Sequence, residues 1–544
     1  MAGTLLARSA YAQPLGSVAE FQELPSADDD RLRMLITTAV DAAKSAGATY
    51  ADARLTFSQL MNIDGEFLNE HAGRASYPRN RTETMAFGVR AQVNGYWGFA
   101  SSPVWTKDEA ARLGRAAVDG ATANVSGRPR DMEMAPNPNA VSGDWTMPVT
   151  DDPFAMDTDE ICDYLNGILT YSDTSLYAKG RGITQMWNVG AEFFRQQKAF
   201  GSTDGQFVTQ RVYRTGGVVR FTVGDSQQEG FGQASGALDQ FTQFGAGRGF
   251  ELIRTPNTRE WIRQLWIELD EERRLPVVPV DVGRYPVLVH RGGVAGLLKK
   301  SVGVATEIDR VMGYEANSSG TSYIVDPDES LGALKIGAPI MHVTATRSMP
   351  GGLAQVKWDD EGVEPRNFDL VKSGMLTDLQ RNREGTGWMK GYLTKTGQAL
   401  RSNGCAYASD AVDAQTVHPA DLILHPDSAR DTTLTQLREQ IDKGIEFKEA
   451  NTMMDFQQST GMLGGTAFLI AKGKRVARIA GAGMLFRTPE LWGNLQALGG
   501  PSSVHTVGTA DSKTGNVWKQ EYSSVNTPPA LFKEMSIVNP FQKA

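Results

Sequence analysis

The chain has 544 residues, of which 40% are hydrophobic and 22% charged, the composition of a folded globular protein rather than a disordered one. Its formal charge is −8, and lysine and arginine are dispersed, with pairs such as Lys299-Lys300 the densest clusters. No nucleic-acid partner is therefore expected, because counterion release needs several phosphate contacts along one face. The two cysteines, Cys162 and Cys405, are too few for a disulfide framework or a cysteine-rich zinc cluster, and no apolar run is long enough to span a membrane.

The first residues carry a short apolar stretch, Thr4-Leu5-Leu6-Ala7, and then Ala10-Tyr11-Ala12 before Gln13, a small-x-small cleavage pattern. Residues 1–29 are read as the remnant of an export signal and its leader, which implies a periplasmic or secreted protein; a cytoplasmic one is the alternative. Leu32, Leu35, Ile36, Ala39, Val40 and Ala43 then follow helical spacing from Asp30, and Gly47 stops the helix. Ala51, Ala53, Leu55 and Phe57 alternate with polar residues, as in a half-buried strand. Val89, Ala91 and Val93 alternate again and meet Asn94-Gly95, a hairpin turn, with Tyr96 to Ser102 as the returning strand. Lys107 to Val118 has helical composition. Residues 30–128 thus form an N-terminal α+β unit.

Five prolines between Pro129 and Pro153 mark a linker. A middle α+β unit, 154–275, follows, with a helix from Asp159 and strands near 183–189 and 208–223. Ala199 to Gly205 is the turn between two strands, Gly230 to Gly249 a loop, and Asn257 to Glu272 a helix. Gly230-Phe231-Gly232 resembles half of a dinucleotide loop but lacks the strand–turn–helix setting. From Pro276 short β-type runs dominate, at 277–280, 286–289, 340–344, 354–357, 465–471 and 475–482. One helix interrupts them, with Asp431 as its cap and Leu434, Leu437 and Ile441 as its buried stripe. The fold class is α+β: an N-terminal α/β-type part with a mixed sheet and flanking helices, and a large, mainly antiparallel β domain over 276–544.

The segment that bears on chemistry is Pro286-Val287-Leu288-Val289-His290-Arg291-Gly292-Gly293-Val294-Ala295-Gly296-Leu297-Leu298, a strand that ends at a histidine and turns into a helix. It resembles the signature of the TldD/PmbA family, in which the strand ends in His-Glu-x-x-x-His and leads into Gly-Leu-Glu. The resemblance runs in the same order through Gly95 to Ser102, Phe200 to Gly205, Asp359-Asp360-Glu361-Gly362, Ser373 to Leu376, Gly473-Lys474 and Gly481-Ala482. It implies a metallopeptidase fold in which the two histidines and a cysteine near the C-terminus hold the metal and the glutamate activates water. Only the first histidine, His290, is kept. Arg291 stands at the glutamate position and Ala295 at the second histidine. Trp518 falls near the cysteine position. An arginine cannot act as a base and an alanine cannot ligate, whereas a hydrolytic zinc needs three ligands and a carboxylate beside its water.

The ligand set is therefore read as degenerate, with no catalytic residue assigned, and with His290 and Glu307 as the metal candidates. No cofactor is expected on this chain; zinc is expected in a paired family subunit that keeps the motif, and a peptide is the expected substrate. The alternatives are an active peptidase with altered ligands, drawn from His290, Glu307 and the carboxylates of Asp359 to Glu361, and a non-enzymatic periplasmic binding or assembly factor. Glu307 and Asp309 are expected to face solvent, Asp359 to Glu361 to form a solvated turn, and His342, His418 and His425 to lie scattered.

Overall fold

A computed structural model describes residues 30–66, 79–125, 133–137, 141–172, 184–223, 232–236, 245–255, 257–417, 420–513 and 519–540. The first part of the chain builds one sheet on four long strands arranged as two hairpins. Strands β1 (Tyr50–Glu66), β2 (Arg79–Val93), β3 (Tyr96–Ser102), β4 (Ser142–Thr146), β5 (Thr184–Ser202), β6 (Phe207–Val223) and β7 (Gly232–Gly236) form it in the order β3-β2-β1-β5-β6-β4, with β7 also on β6. Backbone hydrogen bonding between β1 and β5 runs from Asp52↔Ser202 to Glu66↔Asn188, so strands from the expected first and middle units share one sheet. The proline-rich stretch contributes β4, which pairs parallel with β6. The expected loop at 230–249 likewise contains a strand, β7; Gly230 and Phe231 themselves, like Ala10-Tyr11-Ala12, lie outside the described residues.

Period-two alternation decides what each face of this sheet meets. The odd positions of β1 are apolar. Ala51, Ala53, Leu55 and Phe57 pack under helices α1 (Asp30–Ser45) and α2 (Lys107–Asn124), in one core with Leu35, Ile36, Leu113 and Ala117. Further along the strand, Met61 and Ile63 pack with Ile161 and Leu165 of α3 (Thr158–Ser172) and with Ile262 and Leu269 of α4 (Thr258–Arg273). The even positions, Asp52, Arg54, Thr56 and Ser58, are polar, and the sequence pattern suggested that they face water. They are buried, because the C-terminal region covers them.

That region opens with strand β8 (Val277–Pro279) and contains an eight-stranded and a six-stranded sheet, mostly antiparallel, with parallel pairs at three places. Its own core is large and apolar, and includes Val287, Val289, Ala295, Leu297, Phe447 and Trp492, each fully buried. Residues 354–357 form no strand, and the helix at Leu434–Glu439 is capped by Thr433 rather than Asp431. Thr433 and Gln436 complete a reciprocal capping box there, while Asp431 accepts from the Ser502 amide.

The contact between the sheet and this region is ionic. Arg90 on β2 donates to Asp52 at 2.7 Å and to Glu361 at 3.0 Å, and its guanidinium lies 4.1 Å from the Trp97 ring centroid. Lys198 on β5 donates to both Asp360 oxygens at 2.9 Å. Thr56 donates to Asp410, and Arg54 to the Asp413 carbonyl. Asp359, Asp360 and Glu361 are 2%, 5% and 0% exposed, so the expected solvated turn is instead an interior clamp. Its hydrogen bonds to backbone N–H groups are as expected: Asp359 accepts from the amides of Glu361, Val363 and Ala406. Gly362 closes the turn at φ +69°, where a side chain would be strained and would also meet Gln206.

Removing one partner of a buried ion pair strands the other charge, at a cost of about 3–5 kcal/mol. Asp360→Ala should lower the urea midpoint accordingly. Lys198→Met with Asp360→Leu should recover much of that loss, since neither charge then remains buried. Equal losses in the two variants would mean that the pair is not the source of the cost.

Candidate functional site

His290 lies at the junction between a central strand and a helix. Strand β9 (Gly283–Val289) is flanked in parallel by Lys443–Met454 and antiparallel by Ala530–Val538, so its residues 287–289 are fully buried. His290 is the N-cap of α5 (Arg291–Leu298), with extended backbone at φ −69° and ψ 160°, and its amide donates to the Phe447 carbonyl at 3.0 Å. Gly293 allows the first turn of α5 to press on the strand it leaves: a Cβ there would lie 2.6 Å from Val289 Cγ1. The strand–turn–helix read from the sequence is therefore present.

The imidazole lies against charged side chains from two other strands. His290 Nε2 lies 2.5 Å from Glu446 Oε1 and 3.3 Å from an Arg475 guanidinium nitrogen. Glu446, fully buried on the strand beside β9, also accepts from Arg438 at 2.6 and 2.8 Å and from Arg475 at 2.6 Å. Arg475 reaches Glu272 of α4 at 2.6 Å, and Lys448 holds the same Glu272 at 2.9 Å. Burial alone would raise the Glu446 carboxyl, but hydrogen bonds from Arg438, His290 and Arg475 hold it far below the usual carboxylate range. Burial lowers the pKa of His290, outweighing the hydrogen bond and charge of Glu446, because Arg475 already helps to neutralise that carboxylate.

The remaining sequence candidates lie elsewhere. Arg291 opens α5, and Ala295 is fully buried in the apolar core. Glu307 and Asp309 are 0% and 8% exposed, contrary to the expectation that they face solvent. Beyond α5 the chain widens into a π turn at Lys299–Gly303 and then tightens into a short 3₁₀ turn, after which Glu307 comes within 3.9 Å of Arg310 and Asp309 accepts from the Val417 amide. Glu307 does not reach His290, and the acids at 359–361 face the N-terminal sheet. His342 and His425, expected to be scattered, are brought together: the His425 amide donates to the His342 carbonyl at 3.1 Å, and His425 Nε2 lies 2.8 Å from Thr344 Oγ1. His418 and Trp518 lie outside the described residues.

These positions do not suit a metal ion at His290. Its Nε2 is taken up by a carboxylate and a guanidinium, and the helix position one turn on offers a methyl group. Among the described residues, no group of three or more His, Cys, Asp and Glu side chains is disposed to hold a metal. Sequence reasoning missed Glu446, Arg438, Arg475, Glu272 and Lys448. The closest of these to His290 in the chain are 18 and 148 residues away, and no local pattern singles them out.

A sequence profile of the PmbA/TldA metallopeptidase C-terminal domain matches residues 282–539, which begin with β9 and include His290, Arg438, Glu446 and Arg475 but not Glu272 of α4. Residues 282–539 form a domain of the PmbA/TldD type. The chain is 24% identical over 406 residues to a metalloprotease of Methanothermobacter thermautotrophicus, covering 73% of this chain and 76% of that one. A metalloprotease of Methanocaldococcus jannaschii is 26% identical over 165 residues, or 29% of this chain and 33% of its own. Two solved structures share the fold at low identity. A candidate modulator of a DNA gyrase from Thermotoga maritima superposes with a TM-score of 0.65 at 14% identity, over 94% of this chain and 100% of that one. TldE from Thermococcus kodakarensis superposes with a TM-score of 0.64 at 13% identity, over 92% and 98%.

His290 thus lies at a junction where it is held by a carboxylate and a guanidinium, and this has a pH signature. The folded imidazole binds protons less readily than the usual value of 6.5, so the unfolded chain takes up the proton first. The contribution of neutral His290 is intact above that value and is lost as pH falls below it. Urea midpoints measured from about pH 7.5 down to about pH 5.5 should fall, and His290→Gln should fall less steeply over that window. Parallel curves for the two proteins would show that His290 does not titrate as described.

Proposed function

We propose that this chain is a non-catalytic subunit of a two-subunit TldD/PmbA-type peptidase, working with a sister subunit that carries the intact motif and its zinc. The carrying observation is the fate of His290: its ring nitrogen is spent on Glu446 and Arg475, and Arg291 and Ala295 supply neither a base nor a ligand. Two relatives named metalloproteases support proteolysis as the activity of the assembly. The likeness to a protein named TldE supports a paired subunit of the same family. The chain's own part would be to complete the cavity and hold a peptide as an added strand, since a sheet edge supplies main-chain donors and acceptors. Export to the periplasm is part of the proposal, on the ground of Ala10-Tyr11-Ala12, and cell fractionation locates the protein.

Purified alone, the chain should carry no stoichiometric zinc and should hydrolyse no unfolded peptide, while addition of the sister subunit should yield an active complex. About one zinc per chain by elemental analysis, lost in His290→Ala, would falsify the proposal. Peptide binding with no sister subunit recovered from the native source would favour a binding or assembly factor instead.

A repair test addresses the motif directly. Arg291→Glu with Ala295→His should leave peptidase activity at background, because a third ligand is still missing and Glu446 and Arg475 still hold His290. Hydrolysis by the double variant would mean that another side chain completes the ligand set.

A further inference from the structure

Strand β4 ends the first sheet on one side. Its parallel pairing with β6 runs from Ser142↔Phe207 to Thr146↔Arg211, and is extended by the Phe207 amide on the Val141 carbonyl and the Met147 amide on the Arg211 carbonyl. Alternate residues of a strand bond to one neighbour, so Val141, Gly143, Trp145 and Met147 are spent on β6. The N–H and C=O groups of Ser142, Asp144 and Thr146 therefore point off the sheet. Among the described residues they meet no other backbone group, and all three residues are exposed. Edge strands are commonly blunted by lysine, proline or a bulge. The sequence Ser142-Gly143-Asp144-Trp145-Thr146 has none of these, and the Asp144 carboxylate is drawn back over β6 by the Thr209 hydroxyl at 2.6 Å.

An open cleft of about 450 Å³ lies at the start of this strand, between the two halves of the chain. Pro136, Val141, Trp358 and Val363 give it apolar walls, and Arg401 and Ser402 a polar part. The Trp358 ring lies against Gly143, where a Cβ would stand 2.9 Å from Cη2. Positive charge is in excess beside the cleft. Arg366 and Arg381 share Asp378, at 3.3 and 3.0 Å, while Arg401 pairs with no carboxylate among the described residues. Arg381 is fully buried, and its Nε and Nη1 meet no hydrogen-bond partner. Burial and the charges of Arg381 and Arg401 lower the pKa of Arg366 in spite of Asp378. Glu364, the acid that lines the cleft, is already held by Lys357 at 2.6 Å.

We infer that β4 and this cleft bind the C-terminal end of an extended peptide: the peptide lies antiparallel on the outer edge of β4, and its terminal carboxylate meets Arg401. The edge supplies three donor–acceptor pairs, at Ser142, Asp144 and Thr146, which read no sequence. The cleft supplies the selectivity. An arginine with no carboxylate of its own suits a free C-terminus, and antiparallel addition brings that terminus to the Val141 end. Register then fixes the side chains. Those opposite Val141 and Gly143 turn toward Trp358 and favour apolar residues, whereas those opposite Ser142 and Asp144 turn toward solvent. The inference rests on the reading of a peptide-holding subunit for its purpose alone, and gives that subunit a preference for free peptide ends.

The test is fluorescence anisotropy on the purified full chain, with no zinc and no sister subunit, so a failure here is distinct from a failure of the subunit reading. The probe is the hexapeptide Ser-Val-Ser-Val-Ser-Leu with fluorescein at its N-terminus, as free acid and as C-terminal amide. The acid should bind saturably, with a Kd of about 1 mM or tighter. The amide should bind at least about tenfold more weakly, the scale of one charge-assisted hydrogen bond. Arg401→Gln should weaken the acid by a similar factor and leave the amide unchanged. Methylating the peptide nitrogen of the penultimate serine, which faces Ser142, should weaken binding about tenfold. Methylating that of the preceding valine, whose N–H faces away from β4, should not. Absence of saturable binding, equal affinity of acid and amide, or equal loss from the two methylations overturns the inference.

Discussion

The structure depends on burying the polar face of a sheet. β1, β2 and β5 present apolar residues to helices α1–α4 on one side and Asp52, Arg54, Arg90 and Lys198 to the C-terminal region on the other. Burying these groups is costly unless each meets an opposite charge or a hydrogen-bond partner. The turn Asp359-Asp360-Glu361-Gly362 supplies two of those partners, while Gln415 donates to Asp52 and the Asp413 carbonyl accepts from Arg54. Arg90 meets Glu361, Lys198 meets Asp360, and Asp359 secures the turn itself through three backbone amides. Burial and the neighbouring Glu361 push the Asp359 carboxyl up to about 7, which shows how little solvent remains to screen it. A short acidic stretch that reads as surface loop is thereby the means by which the two halves of the chain recognise each other.

The same principle governs the junction at His290. There too, carboxylates and cations from distant segments are matched in a largely buried place, and there too α4 of the first half meets strands of the second. The strand–helix scaffold is set by the apolar β9 and the small residues of α5, whereas the side chains that surround His290 come from elsewhere in the chain. Scaffold and chemistry are therefore separable here: the backbone path follows from packing of Val287, Val289, Val294 and Leu297, while what His290 can do follows from Glu446 and Arg475.

Much of the fold was legible in the sequence because its signals are local. The helical spacing from Asp30, the Asn94-Gly95 hairpin and the strand ending at Val289 all appear in the structure. The family, too, could be recognised from short motifs kept in order. What could not be read was the environment of polar groups. Asp359 to Glu361, Glu307 and Asp309 look like surface residues, because sequence shows charge but not what covers it. The apolar–polar alternation of β1 was visible, but whether its polar face meets water or another part of the chain depends on contacts more than 350 residues away, such as Thr56 to Asp410, 354 apart, and Arg54 to Asp413, 359 apart. Strand β4 was hidden by its prolines, which stand outside the five residues that pair.

Gly88 on β2 shows what this mode of assembly demands of positions that carry no charge at all. The carbonyl oxygen of Ala411 lies 1.9 Å from where a Cβ would stand, so the loop that carries Asp410 and Asp413 rests directly on bare peptide backbone. Any other amino acid would act as a wedge, prising the loop off the strand and exposing Thr56 and Arg54 to water. Drift at this site is therefore closed by shape alone. A search restricted to ligands, bases and ion pairs would pass over one of the least replaceable residues of the molecule.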